Sequence, residues 1–174
     1  IKSSAASDVY KRQIPDIAKT TKQWYESEKE ELKRFKNIIV IGYDKCLPAA
    51  TEGALKILET VQCCVRYYEL EEFMHGIYHG IDKSTLILAL GNQSRHLNRM
   101  VRLLGYLKEH KNATTYLISQ NKVIKHDFSY PFIEDSLFVS FEYLTVLQVL
   151  GELMCHDRGV DLYDTVDENF HEYM

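Results

Sequence analysis

The chain has 174 residues, which suits one domain with a real core, and its 45% apolar and 26% charged content is ordinary for a globular protein. A net charge of −4, with basic residues scattered along the chain, gives no electrostatic footprint for nucleic acid. No apolar run approaches the roughly 20 residues needed to span a bilayer, and the first residues lack the apolar core of a signal peptide.

The four cysteines, Cys46, Cys63, Cys64 and Cys155, form no CxxC pair, and the seven histidines are dispersed. This pattern fits reduced thiols in a cytoplasmic protein and offers no clustered zinc ligands.

Residues 3–13, SSAASDVYKRQ, show neither helical nor strand periodicity. They resemble the in-frame translation of a sequencing adapter. Residues 1–13 are therefore expected to be a non-native or disordered leader that packs on nothing. Sequence upstream of the domain, and a few residues after Met174, are expected to be missing. Residues 14–36 read as an exposed linker helix, with Pro15 near its first turn and Ile17, Trp24, Leu32 and Phe35 spaced along it.

Residues 37–42 (NIIVIG) form a continuous β-branched run, which suits a central strand buried on both faces of a parallel sheet. A helix is expected over 49–62, a strand over 64–70, and a short turn or helix over 71–81 punctuated by Gly76 and Gly80. Residues 85–90 (TLILAL) read as a strand, 93–111 as an amphipathic helix, and 114–118 as a strand. A short strand over 123–126 and a buried helix over 140–155 complete the pattern. Such alternation predicts an α/β fold: a three-layer α/β/α sandwich, flavodoxin- or Rossmann-like, with a mainly parallel sheet of four or five strands. Ligands of such sheets bind outside the carboxyl ends of the strands.

On the helix after the first strand, Glu52, Lys56 and Glu59 stand at i, i+4 and i+7 and share a face. One reading is a solvated face tied by ion pairs. The other is chemical: removing a proton next to a carbonyl needs a base of modest pKa, and a glutamate beside a lysine serves. His75 follows sixteen residues after Glu59 and can shuttle a proton near neutral pH, although a lone histidine is also common as a packing residue.

The motif EGALK-x-x-E over 52–59, followed by YELEEFMHG over 68–76, resembles the second SIS (sugar isomerase) domain of sugar-phosphate isomerases and deglycases. The likeness covers about residues 37–161. It is nearest to the isomerase part of glucosamine-6-phosphate synthase and to fructosamine-6-phosphate deglycases. The resemblance implies an SIS domain over 37–174, the second half of a protein whose first half is missing here. It implies Glu59 as the base that moves a proton between C1 and C2 of an open-chain sugar, and His75 as the acid that opens the ring, contributed across a dimer interface. Glu52 and Lys56 would line the same site. The implied substrate is a phosphorylated sugar or ketoamine sugar, the implied assembly a homodimer, and no cofactor, nucleic acid or membrane is implied.

Two departures bear on the activity. Residues 167–174 (DENFHEYM) lack the Schiff-base lysine that the synthases carry near the C-terminus, and His171 and Glu172 fall near that position. The stretch LGNQSRHLNR over 90–99 is also more deglycase-like, whereas Lys56 is the synthase-like choice. The Ser/Thr-rich phosphate loop of these families lies in the first SIS domain. Only Asn92-Gln93-Ser94, opening a helix, offers an anion site here. The competing reading is a non-catalytic SIS domain that senses phosphosugars in a transcription regulator, which would need no acid–base pair and would carry a helix-turn-helix upstream.

Overall fold

The run Asn37–Gly42 forms β1, and its side chains from Ile38 onward are buried on both faces. The computed structural model describes residues 2–135, 138–162, 172 and 174, and for residues 2–10 the backbone alone. Five parallel strands lie in the order β2-β1-β3-β4-β5, with β2 at Cys64–Glu69, β3 at Thr85–Gly91, β4 at Thr114–Ser119 and β5 at Phe128–Ser129. Thus 37–42 is an interior strand flanked by β2 and β3, as its apolar run predicts.

Successive side chains of a strand point to opposite faces, so the sheet builds two cores. Ile38, Val40, Leu86, Leu88 and Ile118 meet helices α1 (Lys2–Leu32), α2 (Leu47–Val61) and α5 (Val139–Arg158). Ile39, Ile41, Ile87, Ala89 and Leu117 meet the short α3 (Leu70–Met74) and α4 (Leu97–Lys111) on the other face. The result is a three-layer α/β/α fold. Each fully buried Ile or Leu contributes about 1.5–3 kcal/mol, so β1 and β3 are its main anchors. No described helix is long and apolar enough to cross a membrane.

Three local expectations are corrected. First, α1 begins at Lys2, with Pro15 inside it, and it is no exposed linker: Ile17, Tyr25 and Leu32 are fully buried. Gln13 is buried too, and its Nε2 donates to Glu142 Oε1 at 2.5 Å, so the leader is helical and packs at its last residue. Residues 3–13 contain no glycine or proline, so a helix nucleated by the packed turns can propagate through them. Second, 123–126 is a turn, and the fifth strand follows it at Phe128. The cause is Asp127, whose buried carboxylate accepts the backbone N–H groups of Leu117 (2.9 Å), Val123 (3.2 Å) and Ile124 (2.8 Å). Third, α4 starts at Leu97 and not at Gln93, because Ser94 Oγ accepts the His96 N–H at 3.1 Å in a local turn. Residues 167–171 and 173 lie outside the described residues.

Helices α2 and α5 approach closely because glycines face the partner helix. A methyl group at Gly53 would overlap the end of the Leu147 side chain at Cδ1 and Cγ, which Leu147→Ala removes, besides meeting its Cβ at 2.8 Å, and one at Gly151 would meet Thr60 Oγ1 at 2.9 Å. Gly53→Ala is therefore expected to destabilise the fold by about 1–3 kcal/mol despite the better helix propensity of alanine. Leu147→Ala should also destabilise, by leaving a cavity. Urea denaturation of the double variant should show a loss well short of the sum, because the two changes share one contact. Strict additivity would show that Gly53 does not set the spacing.

Candidate functional site

Helix α2 leaves the carboxyl end of β1 through a 3-10 turn, Asp44–Cys46, and starts with Pro48 in its first turn. Its fifteen residues, at 1.5 Å each, carry it about 22 Å back along the sheet. Glu52 consequently sits nearer the carboxyl edge, and Glu59 lies two residues from the helix end, toward the amino edge. The inner face of α2 is buried through Ala50, Gly53, Ala54, Ile57 and Val61.

The outer face holds the charged row together. Lys56 Nζ lies 2.9 Å from Glu59 Oε2 and 3.6 Å from Glu52 Oε1. The hydrogen bond to Glu59, then that carboxylate's charge, holds the Lys56 ammonium above its ordinary pKa. Beside the row stand Leu55 and Leu58, which are 45% and 42% exposed. The row makes the ion pairs expected of a solvated helix face, and the two leucines add apolar surface beside it.

His75 is elsewhere. It ends α3, with its ring exposed and its backbone N–H donating to Glu72 O at 3.0 Å. Between Glu59 and His75, the six residues of β2 carry the chain about 20 Å from the amino to the carboxyl edge. The structure brings Glu52, Lys56 and Glu59 together and leaves His75 apart from them within one chain.

The strand order places the topological switch point between β1 and β3, since the chain runs outward to β2 and then returns to the far side of β1. A cleft of about 520 Å³ opens at their carboxyl ends, lined by Asp44, Lys45, Asn92, Gln93, Ser94 and Glu134. Tyr43 Oη donates to Asn92 O at 2.8 Å and fixes the end of β3. The Gln93 N–H, the donor that would face an anion, is already held by Glu134 Oε2 at 2.8 Å. Glu134 Oε1 in turn accepts the Tyr143 hydroxyl at 2.7 Å. The backbone around Glu134 is tied by the fully buried Glu142, which accepts the N–H groups of Ile133 (2.8 Å) and Glu134 (2.9 Å). Burial pushes the Glu142 carboxyl up in pKa, and these donors push back.

The Asn92–Ser94 segment thus faces a built-in carboxylate and does not open the helix. Sequence reasoning passed over Glu134 and Glu142, because nothing in a loop glutamate marks it as reaching a backbone amide 41 residues away.

A family model described as "SIS domain" matches residues 31–123. Two curated relatives are both glutamine–fructose-6-phosphate aminotransferases (isomerizing). The chain is 28% identical to that of Wigglesworthia glossinidia brevipalpis over 145 residues, covering 78% of this chain and 23% of the relative. It is 27% identical to that of Sulfolobus acidocaldarius over 132 residues, covering 76% and 22%. The chain spans less than a quarter of the length of these relatives. Among solved structures, a provisionally assigned phosphosugar isomerase from Clostridium difficile 630 superposes with a TM-score of 0.84 at 25% identity, over 99% of this chain and 50% of that one. A provisionally assigned sugar-binding protein from Salmonella typhimurium LT2 gives 0.71 at 29% identity, over 82% and 44%.

Exposed ion pairs contribute little to stability. Lys56→Met is therefore expected to leave the urea midpoint of the chain essentially unchanged. A large drop would mean that the row is a structural clamp.

Proposed function

The chain belongs to the SIS-domain family, and from that premise we propose that it is the acid–base half of a cytoplasmic sugar-phosphate enzyme, either a fructosamine-6-phosphate-type deglycase or an aldose–ketose isomerase. The observation that carries this reading is the outer face of α2. Glu59, 48% exposed at its side chain, shares that face with Lys56, Glu52, Leu55 and Leu58. Covering such a face with another domain would bury the leucines and take the carboxylate out of water, which is what a base for carbon acids requires. The solved Clostridium difficile and Salmonella typhimurium chains that this one matches are about twice the matched length, leaving room for a second domain in those two proteins.

In the deglycase reading, Glu59 takes a proton from C1 of the open-chain ketoamine and leaves a 1,2-enolamine. Return of the proton to C2 gives an imine at C1. Water adds to that imine to give a carbinolamine; its C1–N bond then breaks, the amine leaving with a proton from His75 while the C1 hydroxyl gives its proton back to that imidazole and becomes the aldehyde of the sugar product. In the isomerase reading, Glu59 moves a proton between C1 and C2 through an enediol, and His75 protonates the ring oxygen as the ring opens. Glu52 and Lys56 line the pocket in both, and neither route needs a cofactor. Phosphate contacts come from the other half, whose binding energy the chemistry draws on. The separation of Glu59 from His75 within one chain favours a pocket shared between the subunits of a homodimer.

In the full-length protein, Glu59→Gln keeps the shape and removes the base, so turnover should fall by about 10²- to 10⁴-fold with little change in substrate binding. His75→Asn should behave similarly. Mixing the two inactive variants should restore some activity, because mixed dimers rebuild an intact site. The isolated 174-residue chain should not turn over a 6-phosphosugar. Near-normal turnover in Glu59→Gln would exclude the mechanism, and tight sugar-phosphate binding without turnover in the full-length protein would favour the sensor.

A further inference from the structure

We propose that the crevice at the carboxyl ends of β1 and β3 is a subsite for the protonated primary amine of a ligand, with Glu134, Asn92 and Asp44 as its acceptors. This inference is separate from the α2 row and does not rest on the acid–base reading.

Acceptors dominate the crevice. Asn92 is only 5% exposed, yet its Oδ1 has no hydrogen-bond partner. A buried acceptor left unpaired is costly, so a donor from a ligand would recover that loss. The Glu134 carboxylate accepts from Gln93 N and Tyr143 Oη, which leaves about half of its roughly four lone-pair sites open. Asp44 adds a second carboxylate on the same lining, against one ammonium from Lys45. The balance is one net negative charge.

Backbone geometry points to the same place. Four non-glycine residues among those described have positive φ: Asp44 (47°), Gln62 (51°), Asn112 (56°) and Glu134 (56°). Gln62 and Asn112 cap the ends of α2 and α4, where the left-handed conformation is routine. Asp44 and Glu134 cap nothing, and both line the crevice. Such outliers persist where surroundings hold them for a purpose, most often at ligand sites.

The chemistry excludes a phosphate and fits an ammonium. The Gln93 amide is occupied by Glu134, and an incoming anion would meet two carboxylates. An alkylammonium instead brings three N–H donors, one for each of Glu134, Asn92 and Asp44, and the bonds to the carboxylates are charge-assisted.

The test is a titration of the ¹⁵N-labelled chain, followed by amide shifts, at a pH where the amine is protonated. The probes are glucosamine, glucose as its uncharged counterpart, and inorganic phosphate. Glucosamine should give saturable shifts at Gln93, Glu134 and the Asn92 side-chain amide, and should bind at least about tenfold tighter than glucose, as loss of a charge-assisted contact implies. Glu134→Gln should weaken it by about the same factor. If that variant does not fold, Asp44→Asn, outside the Glu142 network, carries the test with the same expectation. Equal affinity for glucose, shifts of these amides by phosphate at lower concentration than by glucosamine, absence of saturable glucosamine shifts, or variants that bind like the parent would each overturn the proposal.

Discussion

Strands β1 and β3 carry apolar side chains on both faces, so water has to be kept from two sides at once. The helices divide accordingly: α1, α2 and α5 cover one face, and α3 and α4 the other. A chain that covers both faces must reverse its direction of travel across the sheet. That reversal creates the crevice between β1 and β3, where no connection crosses the strand ends. Both the position of α2 and the location of the cleft follow from this single requirement.

Helix α2 then has two faces with different demands. Its inner side is small and apolar, and Gly53 lets it sit against Leu147 of α5. Its outer side carries a lysine between two glutamates, flanked by exposed leucines. Packing explains the inner side completely. It does not explain the outer one, because exposed ion pairs stabilise little and exposed leucines gain nothing from water.

Polar order at the carboxyl edge depends on buried carboxylates. Glu142 gathers Gln13 from α1 and two backbone N–H groups from the 133–134 segment. Asp127 does the same for the turn before β5. In both places a charge taken out of water is matched by several donors, which is the condition for tolerating it. The first network also presents Glu134 to the Gln93 amide and so gives the cleft its acceptor character.

The sequence by itself determined the strands β1, β2, β3 and β4, the helices that alternate with them, the parallel sheet and the shared face of Glu52, Lys56 and Glu59. These are local facts: a period of two or 3.6 residues, or an unbroken apolar run, is visible within a short window. Tertiary structure alone decided the rest. It made a buried helix of residues that read as linker, because Ile17, Tyr25 and Leu32 find the sheet and α5 only once the chain has folded. It moved the fifth strand beyond 123–126, because Asp127 needs the Leu117 amide ten residues earlier. It put Glu59 and His75 at opposite edges, a consequence of helix length and strand rise. It also filled the loop after β3 with Glu134, a bond across 41 residues that no local pattern encodes. Periodicity reports which face a residue occupies, and only the closed fold reports what meets that face.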